Sequence, residues 1–150
     1  MRDIAPKPTV FQGIEFRSRL EARWAVFFAA CPSVEACRYE PLTLRYAKAG
    51  WDYTPDFSID LPNNKGVLVE VKPILPNENY MRGLSQIVEV FSKRLLLGVG
   101  DFYGSTPRIA QVTPHRFHHM AFGRKAKPLN EFFPGSDQAV LIASRYRFDL

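Results

Sequence analysis

Val67 to Lys72 alternates without interruption, with Val67, Val69 and Val71 on one side and Leu68, Glu70 and Lys72 on the other. Pro73 closes the segment. Upstream, Trp51 to Leu61 alternates in the same way. Trp51, Tyr53, Phe57 and Ile59 fall on one face, and Asp52, Thr54, Asp56, Ser58 and Asp60 on the other. Pro62-Asn63-Asn64-Lys65-Gly66 between them reads as a hairpin connection. Two antiparallel strands so joined bring Asp56 close to Glu70, and Glu70 and Lys72 share a face about 7 Å apart.

The remaining pattern builds around this pair. Ser18-Arg19-Leu20-Glu21 has the form of a capping box and opens a helix. Leu20, Trp24, Phe27, Phe28 and Cys31 recur at helical spacing, and Pro32 stops it. Ala36 to Glu40 and Leu42 to Tyr46 read as short strands. A second helix opens near Asn79, carries an apolar stripe of Met81, Leu84, Ile87, Val88, Phe91 and Leu95, and ends at Gly98 and Gly100. Arg108 to Val112 and Ala139 to Tyr146 are expected as strands, with a helical or irregular piece from His115 to Phe122. The expected fold is α/β in the order αβββαβ, a mixed central sheet of about four to five strands flanked by helices. With 150 residues and no repeat or long linker, the chain reads as one domain, residues 1–150, with residues 1–12 as an N-terminal arm.

Two carboxylates placed together repel unless a cation sits between them. Mg²⁺ suits Asp56 and Glu70: it takes oxygen ligands, keeps several waters and accepts phosphate oxygens, and Mn²⁺ is expected to substitute. The Val71 backbone carbonyl is a further candidate ligand. Lys72 is suited to orient an attacking water and to offset charge developing on a phosphate. Glu21 has two readings, the third residue of the capping box or the acid for a second metal. The ordered set of helix Glu, strand Pro-Asp and strand Glu-x-Lys is rarer than any of its parts.

Composition narrows the setting. Apolar residues make up 46% of the chain, and no apolar run is long enough to span a bilayer. Met1 to Val10 carries charges and prolines with no apolar signal core, which points to a cytoplasmic protein without a membrane partner. Cys31 and Cys37 are too few for a disulfide framework and are expected as reduced thiols. The net charge of +5 favours polyanionic partners. Arg116, Arg124, Lys125 and Lys127 form the densest basic run, and Arg17, Arg19 and Arg23 on the first helix with Lys93 and Arg94 on the second are further candidates for phosphate-backbone contact. His115, His118 and His119 have no cysteine nearby, so a DNA-facing or surface role is preferred to zinc binding.

Phe16-Arg17-Ser18-Arg19-Leu20-Glu21, Tyr53-Thr54-Pro55-Asp56-Phe57 and Val69-Glu70-Val71-Lys72 together resemble the PD-(D/E)XK nuclease superfamily over Gln12 to Pro73. The first two segments are similar to phage endonucleases that resolve branched DNA, Holliday junctions among them, and to the endonuclease subunit of heteromeric transposases. The resemblance implies a restriction-endonuclease-like core and a Mg²⁺-dependent endodeoxyribonuclease. It also implies Asp56 and Glu70 as metal ligands, Lys72 as the catalytic lysine and Glu21 as the helix-borne acid. Pro73 stands where the junction-resolving group often has glycine, and Val90, four residues after Gln86, stands where the exonuclease branch has tyrosine. Expected partners are DNA, a second copy of the chain in a homodimer, and a transposase or phage protein, in the nucleoid of a prokaryote or of a phage-infected cell. The competing readings are a non-catalytic DNA-binding or assembly module, and a nuclease subunit active only within a transposase or phage complex.

Overall fold

The computed structural model describes residues 8–148. Its centre is a six-stranded mixed sheet of β3 (Ala36–Tyr39), β6 (Phe57–Leu61), β7 (Asn64–Lys72), β8 (Leu95–Val99), β9 (Arg108–Gln111) and β10 (Lys127–Pro128). In space the order is β10-β9-β8-β7-β6-β3. Among the described residues only β7 and β8 run parallel, with Leu68 beside Leu95 and Lys72 beside Val99. Parallel neighbours need a crossover, and the helix α2 (Glu78–Phe91) supplies it. Two small hairpins lie outside this sheet, β1 (Thr9–Phe11) with β2 (Ile14–Phe16), and β4 (Leu44–Tyr46) with β5 (Trp51–Tyr53).

Both faces of the sheet are covered. On one lie α1 (Arg19–Ala30) and α5 (Asp137–Arg145), with α4 (Leu129–Phe132) at their end. Their apolar side chains pack with Phe57, Ile59, Val67, Val69, Val71, Leu96 and Ile109. On the other lie α2 and α3 (His119–Lys125), packed with Leu68, Leu95, Leu97, Ala110 and Val112. The period-two alternation of β7 therefore sorts its side chains between two buried layers, and the face carrying Glu70 is not left to solvent. Asp56, Ser58 and Glu70 are all buried.

One close approach ties α1 to β8. The Trp24 ring lies on Gly98, where a Cβ atom would stand 2.7 Å from Cη2, and Trp24 Nε1 donates to Gly100 O at 3.2 Å. The first helix is capped as expected, with Ser18 Oγ accepting from Glu21 N–H at 3.1 Å.

Several expectations need correction. The sheet has six strands, not four to five. The single strand expected from Trp51 to Leu61 is two, β5 and β6, broken at Thr54-Pro55-Asp56 and placed in different sheets, because Pro55 withholds a ladder donor. The strand expected from Val67 begins at Asn64. The end of the second helix is instead β8. Helix α2 stops at the left-handed Ser92 (φ 50°), and Leu95-Leu96-Leu97-Gly98-Val99 is apolar on both faces, as a central strand beside a parallel neighbour must be. Lys93 and Arg94 accordingly lie in the loop after α2, not on the helix. Ala139 to Tyr146 is not a strand: the small residues Ala139 and Ala143, one turn apart and fully buried, let α5 lie against α1. The arm expected over residues 1–12 is part of the fold from Thr9, where β1 pairs with β2 and buries Phe11 and Phe16; residues 1–7 lie outside the described residues. Arg23 is buried rather than DNA-facing; its guanidinium donates to Ala143 O (2.8 Å) and Tyr146 O (3.1 Å) at the end of α5.

Among the described residues no helix is long and apolar enough to cross a membrane. The Trp24–Gly98 approach leaves no room for a methyl group. Gly98→Ala is expected to destabilise the protein by about 1–3 kcal/mol, read as a lowered urea midpoint with an unchanged m-value.

Candidate active site

The β6–β7 register carries the central pair. Phe57 lies opposite Val69 and Ser58 opposite Leu68, so the residue before β6 comes beside Glu70. Asp56 is held there by its own neighbours. Its Oδ2 accepts from Val71 N–H at 2.8 Å, and its carbonyl oxygen accepts from Glu40 N–H at 2.8 Å. Oδ1 faces the Arg17 guanidinium at 3.3 Å.

Glu70 is engaged on both oxygens. Tyr53 Oη donates to Oε1 at 3.1 Å, and Tyr80 Oη donates to Oε2. Lys72 Nζ lies 3.8 Å from the same Oε2 and 4.6 Å from the centre of the Tyr80 ring. Tyr80 reaches the site because Asn77 caps α2 through the Tyr80 N–H, which fixes the first turn of the crossover helix over β7.

The two acids influence one another strongly. Burial, then the charge of Glu70, pushes the Asp56 carboxyl up to about 8, against the opposing Val71 N–H. Burial and the Glu70 charge also raise the Tyr53 and Tyr80 hydroxyls well above the usual phenol range, with Asp56 contributing to both. The carboxyl groups at positions 56 and 70 thus share one environment and are not turned to opposite sides of the sheet.

A cleft of about 350 Å³ opens beside this pair, lined by Arg17, Ser18, Leu20, Glu21, Asp56, Val71, Lys72 and Pro73. Glu70 is not on its wall; it lies behind, joined to it through Lys72. Glu21 takes the capping-box position expected of it. Its backbone N–H is capped by Ser18, while its carboxylate accepts from Ser18 Oγ (2.9 Å) and Tyr39 Oη (3.0 Å) and faces Arg17.

A divalent cation can be judged against this donor set. Among the described residues no group of three or more His, Cys, Asp or Glu side chains is arranged to cage a metal. The donors at hand are two buried carboxylates and the Val71 carbonyl. That small set of hard oxygens fits Mg²⁺, which binds through one or two carboxylates and fills its remaining positions with water and phosphate oxygens.

The candidate phosphate contacts are dispersed. Arg19 is exposed at the start of α1, next to the cleft residues Ser18 and Leu20. Arg116, Arg124 and Lys125 gather with Thr113 and His118 around a separate groove of about 480 Å³. Lys127 is exposed on the edge strand β10. Lys93 precedes β8 and so lies at the opposite end of the β7–β8 pair from Lys72. The histidines do not converge: His115 pairs with Glu89, His119 with Glu78, and His118 caps α3.

The sequence reading did not single out Tyr39, Tyr53 or Tyr80 for the site, and it placed Arg17 on DNA rather than among the acids. Tyr53 stands within the quoted YTPDF segment, but period two puts it on the face opposite Asp56. Only the break at Pro55 turns the two toward one another. No protein-family model matches the chain, and neither a curated protein nor a solved structure is significantly similar to it.

Asp56 sets a pH dependence. In the unfolded chain it loses its proton near pH ~3.9, whereas the fold retains it to about pH 8. Between those values the unfolded state binds fewer protons, so metal-free stability falls as pH rises through that window. Asp56→Asn is expected to flatten this slope and to raise the thermal midpoint at pH 8 in chelator by ~3–6 °C, or about 1–2 kcal/mol, as scanning calorimetry at pH 5 and pH 8 would measure.

Proposed function

We propose that the protein is a metal-dependent DNA endonuclease with a restriction-endonuclease-like core, centred on Asp56, Glu70 and Lys72. The observation that carries this reading is the convergence of two buried carboxylates with a lysine at the edge of an open cleft. A pair of buried acids destabilises the fold unless protonation, hydrogen bonds or a cation compensate it, and such pairs cluster at functional sites.

In this reading Asp56, Glu70 and the Val71 carbonyl would hold Mg²⁺, with Mn²⁺ substituting. The ion supplies Lewis-acid polarisation of a phosphodiester and lowers the pKa of a bound water. Each side chain has a distinct task. Asp56 presents Oδ1, since Oδ2 is retained by Val71 N–H. Tyr53 and Tyr80 orient Glu70 so that its carboxylate cannot rotate away. Lys72, stacked over Tyr80 and half-exposed at the cleft, places an ammonium group where it can orient the attacking water and offset charge on the phosphate. Glu21, on the cleft wall, would be the acid for a second ion. Arg19 adjoins the cleft, and the Arg116, Arg124 and Lys125 groove offers a separate stretch of backbone-binding surface. Cutting both strands of a duplex or a four-way junction requires two such sites, which a two-fold homodimer provides.

One observation favours a second reading, a non-catalytic DNA-binding or assembly module: both oxygens of Glu70 already accept hydrogen bonds from tyrosines. Cleavage assays on linear, nicked and branched DNA with Mg²⁺ or Mn²⁺ separate the two. Wild-type protein is expected to cleave and Asp56→Ala to be inactive. Lys72→Ala is expected to lose about 10²-fold or more in turnover while still binding metal. DNA binding without cleavage under either ion, or full activity of Asp56→Ala, overturns the endonuclease reading. Cleavage seen only after a transposase or phage protein is added assigns the chain to a larger complex.

A further inference from the structure

The Arg17 side chain is arranged unlike a surface arginine waiting for DNA. Its guanidinium touches three carboxylates from separate parts of the chain. Nε lies 2.7 Å from Glu40 Oε1, and Nη2 lies 3.3 Å from Asp56 Oδ1 and 3.5 Å from Glu21 Oε2. Tyr39 completes the arrangement. Its Oη accepts from the Arg17 backbone N–H (3.1 Å) and from Nε (3.4 Å), and donates to Glu21 Oε2. Glu40 is brought to this point by a left-handed backbone (φ 44°), unusual for a residue other than glycine, which its N–H bond to the Asp56 carbonyl holds in place.

Exposure divides this group in two. The side chains of Asp56 and Glu21 are 9% and 10% exposed, whereas that of Arg17 is 65% exposed. The acids are fixed in the fold, and the cation that neutralises them enters from the solvent side of the cleft on a long, flexible stem. Arg17 also occupies the one Asp56 oxygen not committed to Val71 N–H. A divalent ion bound by Asp56 needs that same oxygen.

We propose that Arg17 is a resident counter-cation that competes with the divalent ion for Asp56, and that Glu40 is its anchor rather than a metal ligand. This rests on the metal-site reading of Asp56, though not on DNA hydrolysis. The guanidinium compensates the acids while the ion is absent and must leave Asp56 Oδ1 for the ion to bind. Metal affinity is thereby held below what the oxygen donors alone would provide. Glu40, as the nearest partner of Nε, sets how firmly the guanidinium is held.

The test is a Mn²⁺ titration of the full chain without DNA, followed by the electron paramagnetic resonance of free Mn²⁺ and by calorimetry. Arg17→Gln removes the competing charge at an exposed position and is expected to bind Mn²⁺ about 5-fold to 20-fold more tightly than wild type, the lower end of ordinary coupling free energies. Glu40→Gln loosens the anchor while keeping Asp56 and Glu70, and is expected to tighten binding by a smaller factor. Equal or weaker Mn²⁺ binding by Arg17→Gln, including no binding by either protein, overturns the competition. Weaker binding by Glu40→Gln makes Glu40 a ligand and overturns its assignment as anchor. A wild-type protein that binds Mn²⁺ in this assay but cleaves no DNA removes the nuclease reading and leaves the competition standing.

Discussion

Two acids buried side by side are an expense that a fold of this size must offset, and much of the surrounding structure does so. Asp56 and Glu70 come from adjacent strands of one hairpin, and both are almost fully withdrawn from water. A buried carboxylate is tolerated when it is protonated, hydrogen-bonded or paired with a cation. All three devices are present. Burial and the Glu70 charge push the Asp56 carboxyl up to about 8, and it accepts from a backbone amide. Glu70 accepts from two tyrosines, and Lys72 and Arg17 bring positive charge to the pair.

The supports arrive from every layer. Tyr80 comes from the capped first turn of α2, Tyr53 from the β4–β5 hairpin, Glu21 from the start of α1, and Tyr39 and Glu40 from the end of the edge strand β3. Helix α1 is itself positioned by the Trp24 ring on Gly98 and by Arg23, which binds the carbonyls at the end of α5. Aromatic rings reinforce this framework: Phe27, Phe28, Phe57 and Phe133 form one edge-to-face cluster at α1.

What was legible in the sequence follows from which contacts are local. The alternation of Val67 to Lys72 and the Ser18 cap depend on near neighbours, and both are present in the fold. Asp56 beside Glu70 required only a hairpin register. The errors came where tertiary packing decides. Leu95 to Val99 continues the apolar stripe of α2 by spacing alone, and becomes a strand because β7 and β9 flank it. Ala139 to Tyr146 carries strand-like residues but packs as a helix through its alanines. Tyr39, Tyr53 and Tyr80 converge from three separate elements and Arg17 from the connection before α1, and no spacing rule announces such a meeting.

The hairpin origin of the acid pair has a bearing on how the chain assembles. Asp56 and Glu70 become neighbours as soon as β6 and β7 zip together, a closure that spans few residues. Arg17, Tyr39 and Tyr80 reach them only once α1, β3 and α2 have docked. The acid pair is therefore a short-range contact of one hairpin, and Arg17 and Tyr80, which help to compensate it, come from outside that hairpin.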